Sequence, residues 1–203
     1  MFAAGIDTLE SILDLPCGYG RVLRHLRSAF PDARITACDI DRGGVDFCAA
    51  TFGATPAYSH EEPAKIPLAG SYDLIWVGSL LTHLNSRAAI EFLELFRANL
   101  SSQGLLVFTI HGREVADRLR ADPAKYGFDP ETVSVMLQQH AVAGFGYANY
   151  PIATANVGQN YGISLASPCW VYQVMEKMPN TRLVAYTEKG WDGHQDVATF
   201  TPG

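Results

Sequence analysis

Ser11-Ile12-Leu13-Asp14-Leu15-Pro16-Cys17-Gly18-Tyr19-Gly20-Arg21 is the stretch whose reading decides the fold. Apolar residues run as a short strand into an acid, Asp14. A tight loop with Gly18 and Gly20 follows, and a helix opens with Arg21-Val22-Leu23-Arg24-His25-Leu26. Strand, glycine loop and helix in this order form the first half of a nucleotide-type site. Glycine carries no Cβ and accepts positive φ, so the loop backbone can approach a ligand closely. A dinucleotide loop would place a third glycine in G-x-G-x-x-G. Leu23 stands at that position here, and an acid closes the strand before the loop.

Working outward, residues 33–40 read as a second strand that ends in Asp39-Ile40-Asp41. An acid at the end of the second strand, about 20 residues beyond the glycine loop, can accept two hydrogen bonds from a ribose diol. A carboxylate suits a diol because it only accepts. The other role for an acid here, capping the next helix, suits Asp41 better than Asp39.

Asp-x-x-x-Gly-x-Gly, from Asp14 to Gly20, resembles the first motif of class I S-adenosylmethionine-dependent methyltransferases. Pro16 stands where that family usually has glycine. It has no N–H and fixes φ, so the first turn of the loop must differ. The resemblance implies S-adenosylmethionine as cofactor. Asp14 would hold its methionine ammonium, the loop through Pro16, Cys17, Gly18 and Gly20 would line methionine and ribose, Asp39 would hold the ribose, and Ile40 would pack on the adenine.

Helices are expected over residues 21–30 and 43–52, the second ended by Gly53. A short third strand over 56–59 places Ser59 or His60 beside the adenine edge. Residues 72–77 read as a buried strand, followed by Gly78-Ser79-Leu80-Leu81-Thr82-His83-Leu84. The run from Asp73 to Leu84 is similar to a bacterial methyltransferase subgroup. The resemblance implies that Gly78, Ser79 and Leu80 line the cofactor and that the same loop reaches the acceptor. Amino-directed DNA and protein-glutamine members carry Asn/Asp-Pro-Pro-Tyr at this point, which is missing, so those substrates are disfavoured.

A helix over 86–100 capped by Ser86, a turn at 101–104 and a strand over 105–110 ending at His111-Gly112 complete five strand–helix alternations. Such alternation argues for a mostly parallel sheet with helices on both faces. Ligands of such sheets bind beyond the strand C-termini, so residues 16–20, 39, 59–60, 78–83 and 111–112 should converge on one cleft.

Helices are expected over 114–120 and from Pro130, capped by Asp129, to about 143. Residues 144–160 are rich in glycine, aromatics and amides without a regular period. A loop of that length serves as a lid or acceptor wall, or is a plain surface excursion. A small strand over 161–164, a helix over 167–178 and strands over 182–187 and 197–201 follow, the last two joined by 188–196. A closing antiparallel hairpin is what the resembled family uses for its last two strands. The expected fold is therefore α/β, a doubly wound, mostly parallel seven-stranded sheet with a C-terminal antiparallel hairpin. It forms one domain over 1–203, with an insertion at about 113–165. Family members usually carry helices before the first strand. Here that strand begins almost at once, which implies a trimmed chain or an open cofactor cleft.

The chain has 203 residues, 48% hydrophobic and 18% charged, with net charge −6. An acidic chain without a Lys/Arg cluster offers no footprint for nucleic acid or an anionic membrane. The cysteines, Cys17, Cys38, Cys48 and Cys169, form no C-x-x-C pair, which disfavours zinc and thioredoxin-type readings and suits reduced thiols in a cytoplasmic protein. No acidic set for a catalytic metal and no Walker-type G-K-[ST] is present. Histidines at strand ends, His83 and His111, are the candidate bases, each equally suited to a structural role. His194, placed in the hairpin connection, is expected to be structural.

The resemblance implies methyl transfer to a small-molecule or glycan-type acceptor at oxygen. Two alternatives stand beside it. One is a protein that binds S-adenosylmethionine without catalysis, motivated by Pro16 and the short start. The other is an NAD-dependent oxidoreductase, opposed by Leu23 and the terminal hairpin.

Overall fold

The computed structural model describes residues 9–68, 70–150 and 161–203. Among these, the main sheet has seven strands in the order β3-β2-β1-β4-β5-β9-β8. β1 (Ser11–Asp14), β2 (Arg34–Asp39), β3 (Thr55–Tyr58), β4 (Tyr72–Val77) and β5 (Leu100–Ile110) pair in parallel. β8 (Thr181–Trp191) and β9 (Gln195–Pro202) add the antiparallel hairpin through β5–β9. The order reverses between β1 and β4, which opens a crevice at their C-terminal ends.

Side-chain alternation along the central strands builds a core on each face. Ile12, Ile35, Leu74 and Leu105 pack with Leu23 of α1 (Leu23–Ala29) and Val45 and Cys48 of α2 (Arg42–Phe52). Leu13, Ile75, Leu106 and Phe108 pack on the opposite face with Phe92 and Phe96 of α3 (Ser86–Ala98) and Val171 and Met175 of α6 (Pro168–Glu176). A third cluster joins Val115 and Leu119 of α4 (Arg113–Ala121) and Val133 and Met136 of α5 (Pro130–Ala143). It is completed by Ile163 and Leu165 of β7 (Gly162–Ala166).

Several expectations are corrected. The α3 cap is Asn85, whose side chain accepts the Ala88 N–H at 2.9 Å, and Ser86 is the first helical residue. Residues 101–104 belong to an irregular β5 that pairs Tyr72 with Leu100 before shifting register at Leu74. The stretch expected as a loop over 144–160 begins with β6 (Phe145–Asn149), which pairs antiparallel with β7 as a separate two-stranded sheet. Its glycines hid it. A Cβ on Gly146 would lie 2.2 Å from the Met136 carbonyl oxygen, and one on Gly162 2.1 Å from that of Ala148. Close backbone approach therefore demands residues of poor strand propensity. The rest of the expected lid, 151–160, lies outside the described residues. The 188–196 connection is mostly strand: β8 runs to Trp191 and β9 begins at Gln195, so the turn is Asp192-Gly193-His194, with Asp192 and Gly193 at φ 54° and 59°. Two positive φ values between paired strands suit an Asp-Gly hairpin.

At the end of the sheet away from the crevice, Asp73 ties three strands together. Its carboxylate accepts the N–H groups of Glu10 and Ser11, each at 3.0 Å, and the hydroxyls of Ser11 and Ser101. Burial pushes this carboxyl up, but those hydrogen bonds outweigh it and hold the group below the usual range. Its stabilisation is therefore present above about pH 4 and is lost as pH falls through the depressed value. Asp73→Ala is expected to cost about 2 kcal/mol at pH 7 in urea unfolding, with the deficit shrinking in acid. A deficit that does not change with pH would contradict this assignment.

Candidate functional site

β1 ends in Asp14, and the chain turns under its neighbours before entering α1. The Leu15 N–H donates to the Trp76 carbonyl at 3.1 Å and the Cys17 N–H to that of Cys38 at 3.0 Å, pinning the loop between the ends of β4 and β2. Gly18 and Gly20 have φ of 48° and 76°. The Asp39 carboxylate accepts the Gly18 N–H at 2.7 Å and the Asp41 N–H at 2.9 Å. Asp41 caps α2 through the Gly43 and Gly44 N–H groups. α2 can seat against the loop because Gly44 has no side chain; a Cβ there would lie 2.5 Å from the Gly18 carbonyl oxygen.

Two hollows meet over this loop and share Pro16 and Asp39. One, of about 130 Å³, is bordered by Ile40, Ser59, His60, Leu80, Phe92 and Tyr161 among others. The second, of about 290 Å³, is bordered by Cys17, Gly18, Arg21, Trp76, Gly78, Ser79 and Trp191 among others. Together they match the size of a small-molecule site, about 300–1,000 Å³. The structure thus brings Pro16, Cys17, Gly18, Asp39, Ile40, Ser59, Gly78, Ser79 and Leu80 to one cleft. Gly20 borders neither hollow. It faces α2, where a Cβ would lie 2.5 Å from the Phe52 ring.

Asp14 lies beneath the loop and borders neither hollow; it is only 1% exposed, and neither carboxylate oxygen has a hydrogen-bond partner among the described residues. Burial, reinforced by the negative charge of Asp39, pushes its carboxyl up to about 8. A charged group buried alone is costly unless a cation joins it. The folded chain therefore holds this proton where the unfolded chain, titrating near pH 4, does not, and stability falls as pH rises through that window. Asparagine cannot ionise. In chemical denaturation, Asp14→Asn is expected to gain on the unaltered protein steadily from pH 5 to pH 8. A stability difference that stays constant over that range would rule out the buried proton.

The histidines form a second layer. His83 sits in the 3-10 turn Leu81–His83 after β4, and its Nδ1 donates to the Gly162 carbonyl at 2.8 Å. His111 follows β5, is 4% exposed, and its Nδ1 donates to the Ser164 carbonyl at 3.2 Å. A carbonyl can only accept, so both rings carry their lone pair at Nε2. Burial lowers His83. It lowers His111 to about 3, aided by His83 and His194 nearby. His83 stacks on Tyr161 at 4.4 Å, and the two histidine rings are 6.2 Å apart. Tyr161 borders the first hollow; neither histidine does.

His194 is not remote. It is the last residue of the three-residue turn, its ring centroid lies 5.3 Å from that of His111, and Arg118 donates to its Nδ1 at 2.9 Å. Reading a turn at Asp192-Gly193 would have placed it there. The pairing of Trp76 with Trp191 was likewise not foreseen: their centroids are 4.9 Å apart. The Ser79 hydroxyl is paired with the Gln195 amide, and its N–H donates to Thr109 Oγ1 at 2.8 Å. Among the described residues no cluster of His, Cys, Asp or Glu could hold a metal ion, and no helix is long and apolar enough to cross a membrane.

Residues 13–106 match the family model of the methyltransferase domain. No curated protein matches the chain in sequence. Among solved structures, an S-adenosylmethionine-dependent methyltransferase from Clostridium acetobutylicum ATCC 824 superposes with a TM-score of 0.63 at 12% identity, over 95% of this chain and 84% of that one. An O-methyltransferase from neocarzinostatin biosynthesis, in complex with S-adenosylmethionine and 2-hydroxy-5-methyl naphthoic acid, gives 0.61 at 15% identity, over 100% and 52%. Human N-acetylserotonin methyltransferase in complex with S-adenosylmethionine gives 0.60 at 16%, over 100% and 50%. The chain spans about half the length of the first solved structures it matches. Identities this low speak for the fold, which is that of Rossmann-like methyltransferases.

Proposed function

We propose that the chain, whose residues 13–106 match the family model of the methyltransferase domain and whose fold is that of class I S-adenosylmethionine-dependent methyltransferases, binds S-adenosylmethionine in the paired hollows and methylates a small-molecule or glycan-type acceptor at oxygen. The observation that carries this is Asp14, a buried carboxyl at the end of β1 whose two oxygens have no partner among the described residues. An ammonium is the group that satisfies it, by charge and by hydrogen bonds together. One strand over, each Asp39 oxygen already takes one backbone N–H and keeps a lone pair for a ribose hydroxyl. Ile40, Ser59 and Leu80 enclose the adenine side, and Arg21 borders the opposite hollow as a partner for the carboxylate.

The sulfonium of the cofactor supplies an already activated methyl group, open to in-line displacement by the acceptor oxygen. The residues' first task is then positioning, which is worth several kcal/mol when reacting atoms are held in near-attack geometry. The second is to take the acceptor's proton. His83 is the favoured base, since it lies against Tyr161 at the rim and carries its lone pair at Nε2. His111 stands behind it with a much weaker basicity. Because burial lowers His83, turnover should stay level from neutral pH upward and fall only in acid. His83→Ala should lower kcat about 100-fold or more while cofactor affinity is kept. Unchanged kcat would remove His83 from the chemistry.

A second reading, binding without turnover, is favoured by one observation: neither His83 nor His111 borders the hollows. Calorimetric titration with S-adenosylmethionine, S-adenosylhomocysteine and NADH, on the unaltered chain and on Asp39→Ala, tests the cofactor. The first two should bind and Asp39→Ala should lose both. NADH binding in their place would overturn the proposal. Release of S-adenosylhomocysteine across a panel of hydroxyl acceptors separates the two readings.

A further inference from the structure

Asp14 of β1 and Trp76 of β4 are direct neighbours in register, on the two strands that flank the crevice. The Nε1–Cε2–Cζ2 edge of the Trp76 indole lies against Gly78. A Cβ on that glycine would be 2.9 Å from Nε1 and 3.3 Å from Cε2, so only glycine leaves room for the ring. Trp191, the last residue of β8, leans on it from the hairpin, with centroids 4.9 Å apart and planes inclined at 47°. Both indoles border the larger hollow, together with Gly18, Asp39 and Ser79. Tyr19 is the third aromatic side chain at its border.

We propose that Trp76 and Trp191 form a cation-recognising wall that distinguishes the charged sulfonium cofactor from its neutral thioether product. This rests on the reading of the hollows as an S-adenosylmethionine site. With the ribose on Asp39, the sulfur one carbon beyond that ribose falls in the hollow that Asp39 and the two indoles border together. An indole face attracts a cation through its quadrupole, and most strongly where water is excluded. A thioether offers no charge to that face. The wall therefore favours the reactant over the spent cofactor and limits inhibition by product.

The hairpin explains why this wall depends on a distant part of the chain. Trp191 meets Trp76 from the last position of β8, just before the Asp192-Gly193-His194 turn. Trp191 is partly exposed, so its replacement leaves the sheet cores untouched.

The test is calorimetric titration of the whole chain with three ligands: S-adenosylmethionine, S-adenosylhomocysteine, and the amine analogue that carries an ammonium in place of the methyl sulfonium. The unaltered protein should bind both cationic ligands about tenfold more tightly than the thioether, as cation–π attraction in a shielded site allows. Trp191→Leu should bring the three affinities within about twofold of one another while thioether binding persists, which also shows that the variant is folded. Trp191→Phe should retain part of the preference. Thioether binding with an undiminished cation preference in Trp191→Leu would overturn the wall alone. If none of the three ligands binds the unaltered protein, the cofactor reading falls and the wall with it.

Discussion

The Asp39 carboxylate accepts the Gly18 N–H at 2.7 Å and the Asp41 N–H at 2.9 Å, and the open end of the sheet is organised by that pair of bonds. One bond fixes the loop after β1; the other fixes the entry to α2. α2 can then press against the loop only because Gly44 leaves space for the Gly18 carbonyl. The Cys17 and Cys48 thiols both donate to that same carbonyl at 3.4 Å, closing the contact from two elements. Loop, helix and strand end are thus held as one unit before any ligand arrives. Preorganisation of this kind reduces the ordering cost of binding.

The cost of the arrangement sits one strand away. Asp14 is buried under the loop with no hydrogen-bond partner among the described residues and with Asp39 as a like-charged neighbour. The remote carboxylate, Asp73, shows the contrast. It has four donors around it and is held below the usual range, whereas Asp14 has none among the described residues and is raised. The same residue type, at opposite ends of adjacent strands, serves the sheet in one case and strains it in the other. Destabilised groups of this kind concentrate at functional sites.

Much of this was legible in the sequence where the signal was local. The step from Ile12 to Leu13 and from Leu74 to Ile75 crosses the sheet from one core to the other, as a period of two requires. Asp14, Gly18 and Asp39 were legible because a strand end, a tight loop and the next strand end follow one another at short range. Gly20, expected to line the cofactor, borders neither hollow and packs toward Phe52, and sequence alone does not tell a glycine kept for ligand approach from one kept for close packing. Asn85 and Ser86 are both capping residues, and only the extended backbone of Asn85, with ψ 166°, decides between them. What stayed hidden depended on long-range pairing. β6 exists through its partner β7, Trp76 meets Trp191, and His111 meets His194, each pair separated widely along the chain.

The most direct measurement is a crystal structure of the chain with S-adenosylhomocysteine. The account predicts the amino group of the ligand within hydrogen-bond distance of Asp14, its ribose hydroxyls on Asp39, and the thioether sulfur against the Trp76–Trp191 wall. An adenosyl ligand bound elsewhere, or an Asp14 carboxyl still without a partner when the hollows are filled, would contradict it.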